Sequence, residues 1–227
     1  MKNSKMFNFV RNLYLLSLRV VFGRDRKIKR YLRNADKPKL QIGFGNNPLP
    51  GWLNTGISPE ESKAGAFMDA GKPFPLPDAT FDYVYSEHLF EHLTYPQAQN
   101  MLKESFRVLK SGGVFRVATP NLRFLMGLYQ EPEKSLHKEY IAFTAKNGGL
   151  PPTAVYVISR FHTAWGHQII YDPKTLTEAL EQVGFHDIRS CEVGESQHDA
   201  LKGVEGHPKV LRPDFNRLET MVLEARK

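Results

Sequence analysis

The sequence predicts an α/β fold in which helices cover both faces of a mostly parallel β-sheet. Past Pro38, short apolar runs alternate with segments of helical periodicity, as repeated strand–helix–strand units require. One unit is complete, because a helical stripe joins two apolar runs that suit buried parallel strands. The chain has 227 residues, of which 41% are hydrophobic, so we expect one domain with a full core.

The apolar runs predict the first five strands. These strands are expected at KLQIGF (39–44), GWLNTGI (51–57), AFMDA (66–70), FDYVYSE (81–87) and VFRVATP (114–120). Before the fifth strand, YPQAQNMLKESFRVL (95–109) has apolar residues at helical spacing. It predicts a crossover helix that Gly112 terminates.

After the fifth strand the pattern becomes irregular over residues 121–171. An insertion of this length is typical of a lid or substrate loop. Regular structure resumes with a helix in DPKTLTEALEQVGF (172–185), which Gly184 ends. Two final strands are expected at HDIRSCEVG (186–194) and NRLETMVLEAR (216–226). The domain is therefore expected to span residues 38–227.

Residues 1–37 are predicted to form a helical appendage. The first 39 residues carry twelve Lys and Arg and two Asp, a net charge of +10 against +7 for the whole chain. The apolar stretch MFNFVRNLYLLSLRVVFG is too often interrupted by polar residues to predict a transmembrane span, and it has no signal-peptide cleavage site. Two interpretations remain: a cap packed on the domain, or an interfacial helix on an anionic membrane.

Location and partners follow from the same counts. The single cysteine, Cys191, excludes an internal disulfide framework and favours the cytoplasm, either free or peripheral to the inner face of the membrane. The remainder of the chain is about neutral and has no basic stripe, so nucleic acid is not the expected partner. The sequence does not predict an oligomeric state.

The segment LQIGFGNNPLPGWLNTGI (40–57) contains a glycine loop. Gly43 and Gly45 end the first strand and have no Cβ, so the backbone there can turn sharply and approach a ligand. A dinucleotide site would have a third glycine that opens a helix for the pyrophosphate, whereas NNPLP (46–50) intervenes here. The loop therefore disfavours NAD, and an S-adenosyl ligand, which has no phosphate, needs no such helix.

The ordered motifs resemble those of class I S-adenosylmethionine-dependent methyltransferases, in particular a bacterial subgroup with a glycine motif like G-C-G-x5-G-W-x-N-x-D. The matching positions are Gly43, Gly45, Gly51, Trp52 and Asn54, followed by LPDATFDYVYSEHLFEHL, FRVLKSGGVFRVATPN, GHQIIYD and LEQVGF. The match covers about residues 39–185 and recurs weakly in GESQHDALKGVEGH. The resemblance implies a Rossmann-like class I methyltransferase fold with seven strands, of which the last is antiparallel.

The resemblance also implies S-adenosylmethionine as the cofactor. Carried over position by position, it implies that the cofactor contacts Gly43, Gly45, Asn46, Asp69, Ala70, Ser86 and Glu87. Gly56 departs from the pattern, because the family has at that position an acid that accepts hydrogen bonds from the ribose hydroxyls. Glu60 or Glu61, a turn further on, is a candidate replacement. The alternative is a site that has decayed into a catalytically silent scaffold protein.

The motif HLFEH (88–92) has three interpretations: a structural pair of histidines, a zinc site, or contacts to cofactor and substrate. It matches the H-x-x-E-H pattern of a zinc hydrolase, with His88 and His92 on one helix face and Glu91 as base. It also follows a buried strand within a methyltransferase-like series of motifs. We expect contacts to cofactor and substrate there, and no metal.

The reaction predicted from the sequence is methylation of a hydroxyl on a glycan or a small polar metabolite; the glycan is implied by the resemblance alone. Such a reaction needs a base matched to neutral pH, and the candidates are His88, His167 and His162. Arg160 could bind an acceptor carboxylate or phosphate, and Trp165 and Tyr171 offer flat surfaces for a ring. The full set of expected substrate residues is Glu91, His92, Asn121, Arg160, Trp165 and Tyr171.

Overall fold

The computed structural model describes residues 23–207 and 211–227. Its centre is a seven-stranded sheet with the order β3-β2-β1-β4-β5-β7-β6. The strands are β1 (Lys39–Ile42), β2 (Leu53–Gly56), β3 (Ala66–Phe67), β4 (Phe81–Glu87), β5 (Leu109–Pro120), β6 (His186–Cys191) and β7 (Thr220–Arg226). The first five strands are parallel, and β7 is antiparallel to both of its neighbours. The predicted fold class is confirmed.

Eight α-helices are described in residues 23–207 and 211–227. They are α1 (Arg24–Asn34), α2 (Pro59–Ala64), α3 (Tyr95–Val108), α4 (Leu122–Gln130), α5 (Ser135–Gly148), α6 (Ala154–Thr163), α7 (Pro173–Val183) and α8 (Pro213–Glu219). Side chains of α1, α3 and α7, including Ile28, Leu102 and Leu180, share the main core with one face of the sheet. The opposite face packs against the segment 192–207, whose Leu201 and Val204 cover Tyr85.

The sequence analysis expected residues 121–171 to be irregular, and this prediction is wrong. Most of these residues form the helices α4, α5 and α6. These helices enclose an apolar cluster of their own with α8, which includes Phe124, Tyr140, Phe161 and Phe215. The helical spacing is present in the sequence, for example in Phe124, Leu125 and Leu128, which are all buried. Neither α5 nor α6 has a side-chain hydrogen bond at its N-cap, although the N-cap residue of α6, Thr153, is of a favoured type.

Several predicted boundaries are wrong, among them the start of β5, which is Leu109 and not residue 114, and the end of β6, which is Cys191 and not residue 194. The helix α3 ends at Val108 and not at Gly112, because Leu109 already pairs with Phe81 in the sheet. The last strand begins at Thr220 and not at residue 216, because Pro213 opens the short helix α8.

The helix α1 lies within the predicted appendage and packs on the domain. Its Ile28 is buried, and the Tyr31 hydroxyl donates to the Lys39 carbonyl at 3.0 Å. The Lys27 ammonium donates to the carbonyls of Ser62 and Gly65 at 2.7 and 2.8 Å, which satisfies the end of α2. The predicted apolar helix before residue 23, with its proposed membrane contact, lies outside the described residues. Within residues 23–207 and 211–227, no helix is long and apolar enough to cross a membrane.

A buried ion cluster fastens the segment 192–207 to the sheet. Arg116 on β5 is fully buried and donates to Glu205 at 2.7 Å and to its cross-strand neighbour Glu224 at 2.6 Å. The same guanidinium donates to the Glu195 carbonyl at 2.9 Å. These contacts hold the segment against the sheet up to the carboxyl end of β4, where its last described residue, His207, lies.

Candidate functional site

The sheet changes strand order between β1 and β4, and the carboxyl ends of these two strands flank the glycine loop. Gly43 and Gly45 both have positive φ, 67° and 51°. A Cβ on Gly43 would lie 2.7 Å from the Leu89 side chain, whereas a Cβ on Gly45 would meet nothing within 4 Å. Gly45 and Asn46 line a cavity of about 420 Å³. The loop backbone is therefore open to a ligand at the point where α/β sheets bind one.

The other predicted cofactor residues occupy different environments. Ser86, at the end of β4, is fully buried, and its hydroxyl has no partner among the described residues. Ala70 is buried in the core, and Asp69 accepts from the Gly71 backbone N–H at 3.0 Å. Glu87 accepts from the backbone N–H groups of residues 206 and 207 at 2.8 and 3.0 Å. An unsatisfied hydroxyl beside an open glycine loop fits a small polar ligand at this edge, while Glu87 holds the segment that carries His207.

A larger cavity of about 500 Å³ opens beside the ends of β4 and β5 and the start of β7. The helices α5 and α6 form its outer wall. The side chains that line it include His88, Glu91, His92, Pro120, Tyr140, Phe143, Arg160, Phe161, Trp165, His167, His207 and Glu219. Four histidines and two carboxylates thus converge on one space of ligand size.

At the inner end of this cavity, Glu91 holds His88. The Glu91 side chain is 0% exposed, lies 3.1 Å from His88 Nδ1 and accepts from the Thr119 hydroxyl at 3.0 Å. Burial by itself lowers the pKa of His88, but the hydrogen bond and charge of Glu91, with Glu219 and Glu87, outweigh it and raise that pKa. Burial likewise raises the pKa of Glu91, and the His88 contact outweighs it, so the net shift is downward. Both shifts therefore favour the charged forms of the two groups, an imidazolium beside a carboxylate.

His207 and Glu219 lie against this pair. The rings of His88 and His207 are 4.1 Å apart, and His207 Nε2 lies 3.1 Å from Glu219. The Tyr140 hydroxyl donates to the other Glu219 oxygen in a short hydrogen bond. Burial, with the Glu219 charge, raises the pKa of Tyr140 well above its usual value, so this phenol remains protonated.

His167 has the opposite electrostatic character to His88. Its Nδ1 lies 2.6 Å from the Phe161 carbonyl, which only accepts, so Nδ1 carries the proton and Nε2 keeps its lone pair. Burial lowers the pKa of His167, and the imidazole is therefore neutral at pH 7. The Trp165 ring lies 5.6 Å from it and is itself covered by Arg160 at 4.9 Å.

Metal-ligating groups are also close together. The ligand atoms of His88, His207 and Glu219, and separately those of Glu91, His92 and His167, lie within 4.8 Å of one another. The H-x-x-E-H interpretation of residues 88–92 fails geometrically, because its two histidines belong to different groups. His88 has φ 45° and the following turn is a 3₁₀ helix (Phe90–His92), so the pair does not lie on one α-helical face.

Some predicted residues lie outside this cavity. Asn121 caps α4 through the Arg123 N–H, and His162 is on the exposed face of α6. Tyr171 is buried in the main core against Phe90, so it offers no surface to a substrate. In contrast, the expected residues His88, His167, Glu91, His92, Arg160 and Trp165 all line the cavity.

Sequence reasoning missed His207, Glu219 and Tyr140. His207 ends the segment GESQHDALKGVEGH, in which the family resemblance recurs weakly, so a signal for it was present. Glu219 was assigned to the last strand, and Tyr140 to an irregular insertion. Nothing in the local pattern indicates that these two side chains meet.

Comparison with known proteins finds sequence similarity to methyltransferases in part of the chain. Residues 60–117 match the family model described as a methyltransferase domain. Over 47 residues, 21% of this chain, the sequence is 55% identical to a probable S-adenosylmethionine-dependent methyltransferase of Mycolicibacterium smegmatis. That match spans only 18% of the relative's length.

Solved structures give a likeness over nearly the whole chain. A SAM-dependent methyltransferase from Archaeoglobus fulgidus aligns with a TM-score of 0.49 and 18% identity, covering 97% of this chain and 100% of that one. An S-adenosylmethionine-dependent methyltransferase from Mesorhizobium loti aligns with a TM-score of 0.48 and 16% identity, covering 87% of this chain and 96% of that one.

Proposed function

Since this chain is related to the S-adenosylmethionine-dependent methyltransferases, we propose that it is an enzyme of this type that methylates a hydroxyl of a glycan or a small polar metabolite. The observation that carries the proposal is the histidine-rich cavity beside the glycine loop. Both lie at the carboxyl edge of the sheet, one on each side of the β1–β4 switch.

The cofactor would be held by the Gly43–Gly45 backbone and the unpartnered Ser86 hydroxyl. When bound, it supplies an electrophilic methyl group on a sulfonium, which is already a good leaving group. The chain's own task is then to orient the acceptor, exclude water and remove the acceptor's proton.

His167 is the proposed general base. Its neutral form and free Nε2 allow it to take the hydroxyl proton as the oxygen bonds to the methyl carbon. Both ring nitrogens of His88 already have partners, Glu91 at 3.1 Å and the Thr220 hydroxyl at 3.3 Å, so His88 is assigned to positioning the inner end of the cavity. The apolar wall of Phe143 and Phe161 limits water, and Trp165 offers its ring to a sugar face.

Calorimetric titration with S-adenosylhomocysteine tests cofactor binding, and a screen of hydroxylated glycans and metabolites tests transfer. We expect micromolar binding, and activity that falls at least 100-fold in His167→Gln but is unchanged in His162→Gln. His162 is the matched control because it lies on the same helix–turn segment but outside the cavity.

The pH profile distinguishes the two bases. A base works only when deprotonated, so activity rises as the pH passes its pKa. If His167 is the base, the acid limb lies below about pH 6.5, and if His88 is the base, it lies above. Absence of S-adenosylhomocysteine binding would favour the alternative of a catalytically silent protein.

A further inference from the structure

Gly56 ends β2, and the side chain of Glu61 occupies the space beside it. A Cβ placed on Gly56 would lie 2.4 Å from Glu61 Cδ and 2.6 Å from Glu61 Oε1. Distances below about 3 Å are not tolerated between nonbonded heavy atoms of this kind, so one of the two groups would have to move. Glycine at position 56 is therefore what allows Glu61 to lie where it does.

The Glu61 carboxylate connects the glycine loop to the end of β2. One oxygen accepts from the Gly45 N–H at 3.0 Å, and the other accepts from the N–H groups of Ile57 and Ser58 at 3.1 and 2.9 Å. The Ser58 hydroxyl in return accepts from the Glu61 N–H at 3.0 Å, which completes a capping box on α2. The position of the carboxylate is thus fixed by backbone on both sides.

The carboxylate also retains capacity for a ligand. Three hydrogen bonds leave part of its acceptor capacity unused, since a carboxylate can accept about four. Glu61 is half-buried and lines the 420 Å³ cavity together with Gly45 and Asn46. An acid about 20 residues after the first glycine is the general ribose-binding group of dinucleotide folds, and Glu61 lies 18 positions after Gly43.

We propose that Glu61 binds the ribose hydroxyls of the cofactor, so that the acid is supplied from α2 and not from the end of β2. The assignment rests on the proposed function, because it needs a nucleoside ligand at the glycine loop. It also makes the site selective for a free ribose diol over a deoxyribose or a phosphorylated ribose, since a carboxylate repels phosphate.

The experiment compares two probes, 5′-methylthioadenosine and its 2′-deoxy analogue, on three proteins by calorimetry. A charge-assisted hydrogen bond corresponds to about a 10- to 100-fold preference for the ribose probe in the wild type. Glu61→Gln is expected to lose most of that preference. Glu60→Gln tests the other candidate acid, because the exposed Glu60 lines the same cavity, and this variant is expected to keep the preference.

Loss of Glu61 could weaken binding merely by disturbing the loop. Two variants that place an acid at position 56 instead test this. Gly56→Asp alone is expected to weaken S-adenosylhomocysteine binding, because the new side chain collides with Glu61. Gly56→Asp combined with Glu61→Ala is expected to bind at least 5-fold more tightly than Glu61→Ala alone, since the acid is restored from the strand.

The outcomes separate the two proposals. If the wild type binds S-adenosylhomocysteine but Glu61→Gln keeps the full ribose preference, the assignment of Glu61 is wrong and the proposed function stands. If the wild type binds neither S-adenosylhomocysteine nor the ribose probe, the proposed function is overturned, and the assignment of Glu61 falls with it.

Discussion

Replacing Glu91 with glutamine would remove the charge that raises the pKa of His88, while nearly preserving the shape of the side chain. Glu91 lies 3.1 Å from His88 Nδ1 in a place without solvent exposure. Without its charge, the effect of burial on His88 is opposed only by the more weakly acting Glu219 and Glu87. We therefore expect the pKa of His88 to fall in the Glu91→Gln variant.

The size of the effect follows from the contact. A hydrogen bond to a charged group contributes about 1.5 to 3 kcal/mol to the free energy of unfolding. In a domain of this length, each kcal/mol shifts Tm by roughly 2 to 4 °C. The variant should thus melt roughly 3 to 12 °C below the wild type, and the pKa of His88 should fall with it.

The pH dependence of the stability difference has a definite sign. The raised pKa of His88 stabilises the fold fully below about pH 6.5, and this contribution disappears as the pH rises through the folded-state value. The lowered pKa of Glu91 stabilises the fold fully above about pH 4.5, and this contribution disappears as the pH falls through the folded-state value. The difference between wild type and Glu91→Gln should therefore be largest between these two values.

Urea unfolding at several pH values, followed by far-UV circular dichroism, measures this difference directly. NMR titration of the His88 ring gives its pKa in both proteins. Glu60→Gln is the control, because Glu60 is exposed and far from His88 in sequence. A stability difference that is constant from pH 4 to 9 would refute the ion pair.

Two further outcomes are expected. Arg116→Met should destabilise the fold by about 3 to 5 kcal/mol, because it leaves two buried carboxylates without their cation, and adding Glu205→Gln and Glu224→Gln should restore most of the loss in a thermal melt. Dialysis against EDTA should leave S-adenosylhomocysteine binding and methyl transfer unchanged, because the proposed reaction uses a sulfonium leaving group and a histidine base and needs no metal. A loss of activity that Mn²⁺ or Zn²⁺ reverses, together with bound metal in elemental analysis, would contradict the second expectation.

The strands of the parallel part of the sheet could be predicted because each is buried and therefore reads as a short apolar run. The helix α7 could be predicted because Asp172 caps it, Pro173 opens it and Gly184 ends it, and all three signals are visible in the sequence. The starts of α5 and α6 are less clearly marked, because Lys134 at the N-cap of α5 is not a typical capping residue and Thr153 at the N-cap of α6 makes no side-chain hydrogen bond. What stabilises them is contact with one another and with α8, and that contact depends on the tertiary structure.

The site residues likewise divide into those that a local sequence pattern indicates and those that only the tertiary structure brings together. His88 follows a predicted strand and His167 lies in a recognisable motif, so both could be proposed from sequence, and both line the cavity. His207 reaches His88 only because Arg116 and Glu87 hold the segment before it, and these contacts join residues about 90 to 120 positions apart. A local pattern carries no information about such contacts.

The collision between Gly56 and Glu61 limits the order in which this sequence can change. An aspartate at position 56 would have to displace the Glu61 side chain, and loss of Glu61 alone leaves Gly45, Ile57 and Ser58 without their common acceptor. Each single step is thus unfavourable, although the double change is sterically permitted. We therefore expect the two positions to be epistatic, because one single change displaces the Glu61 carboxylate and the other removes it.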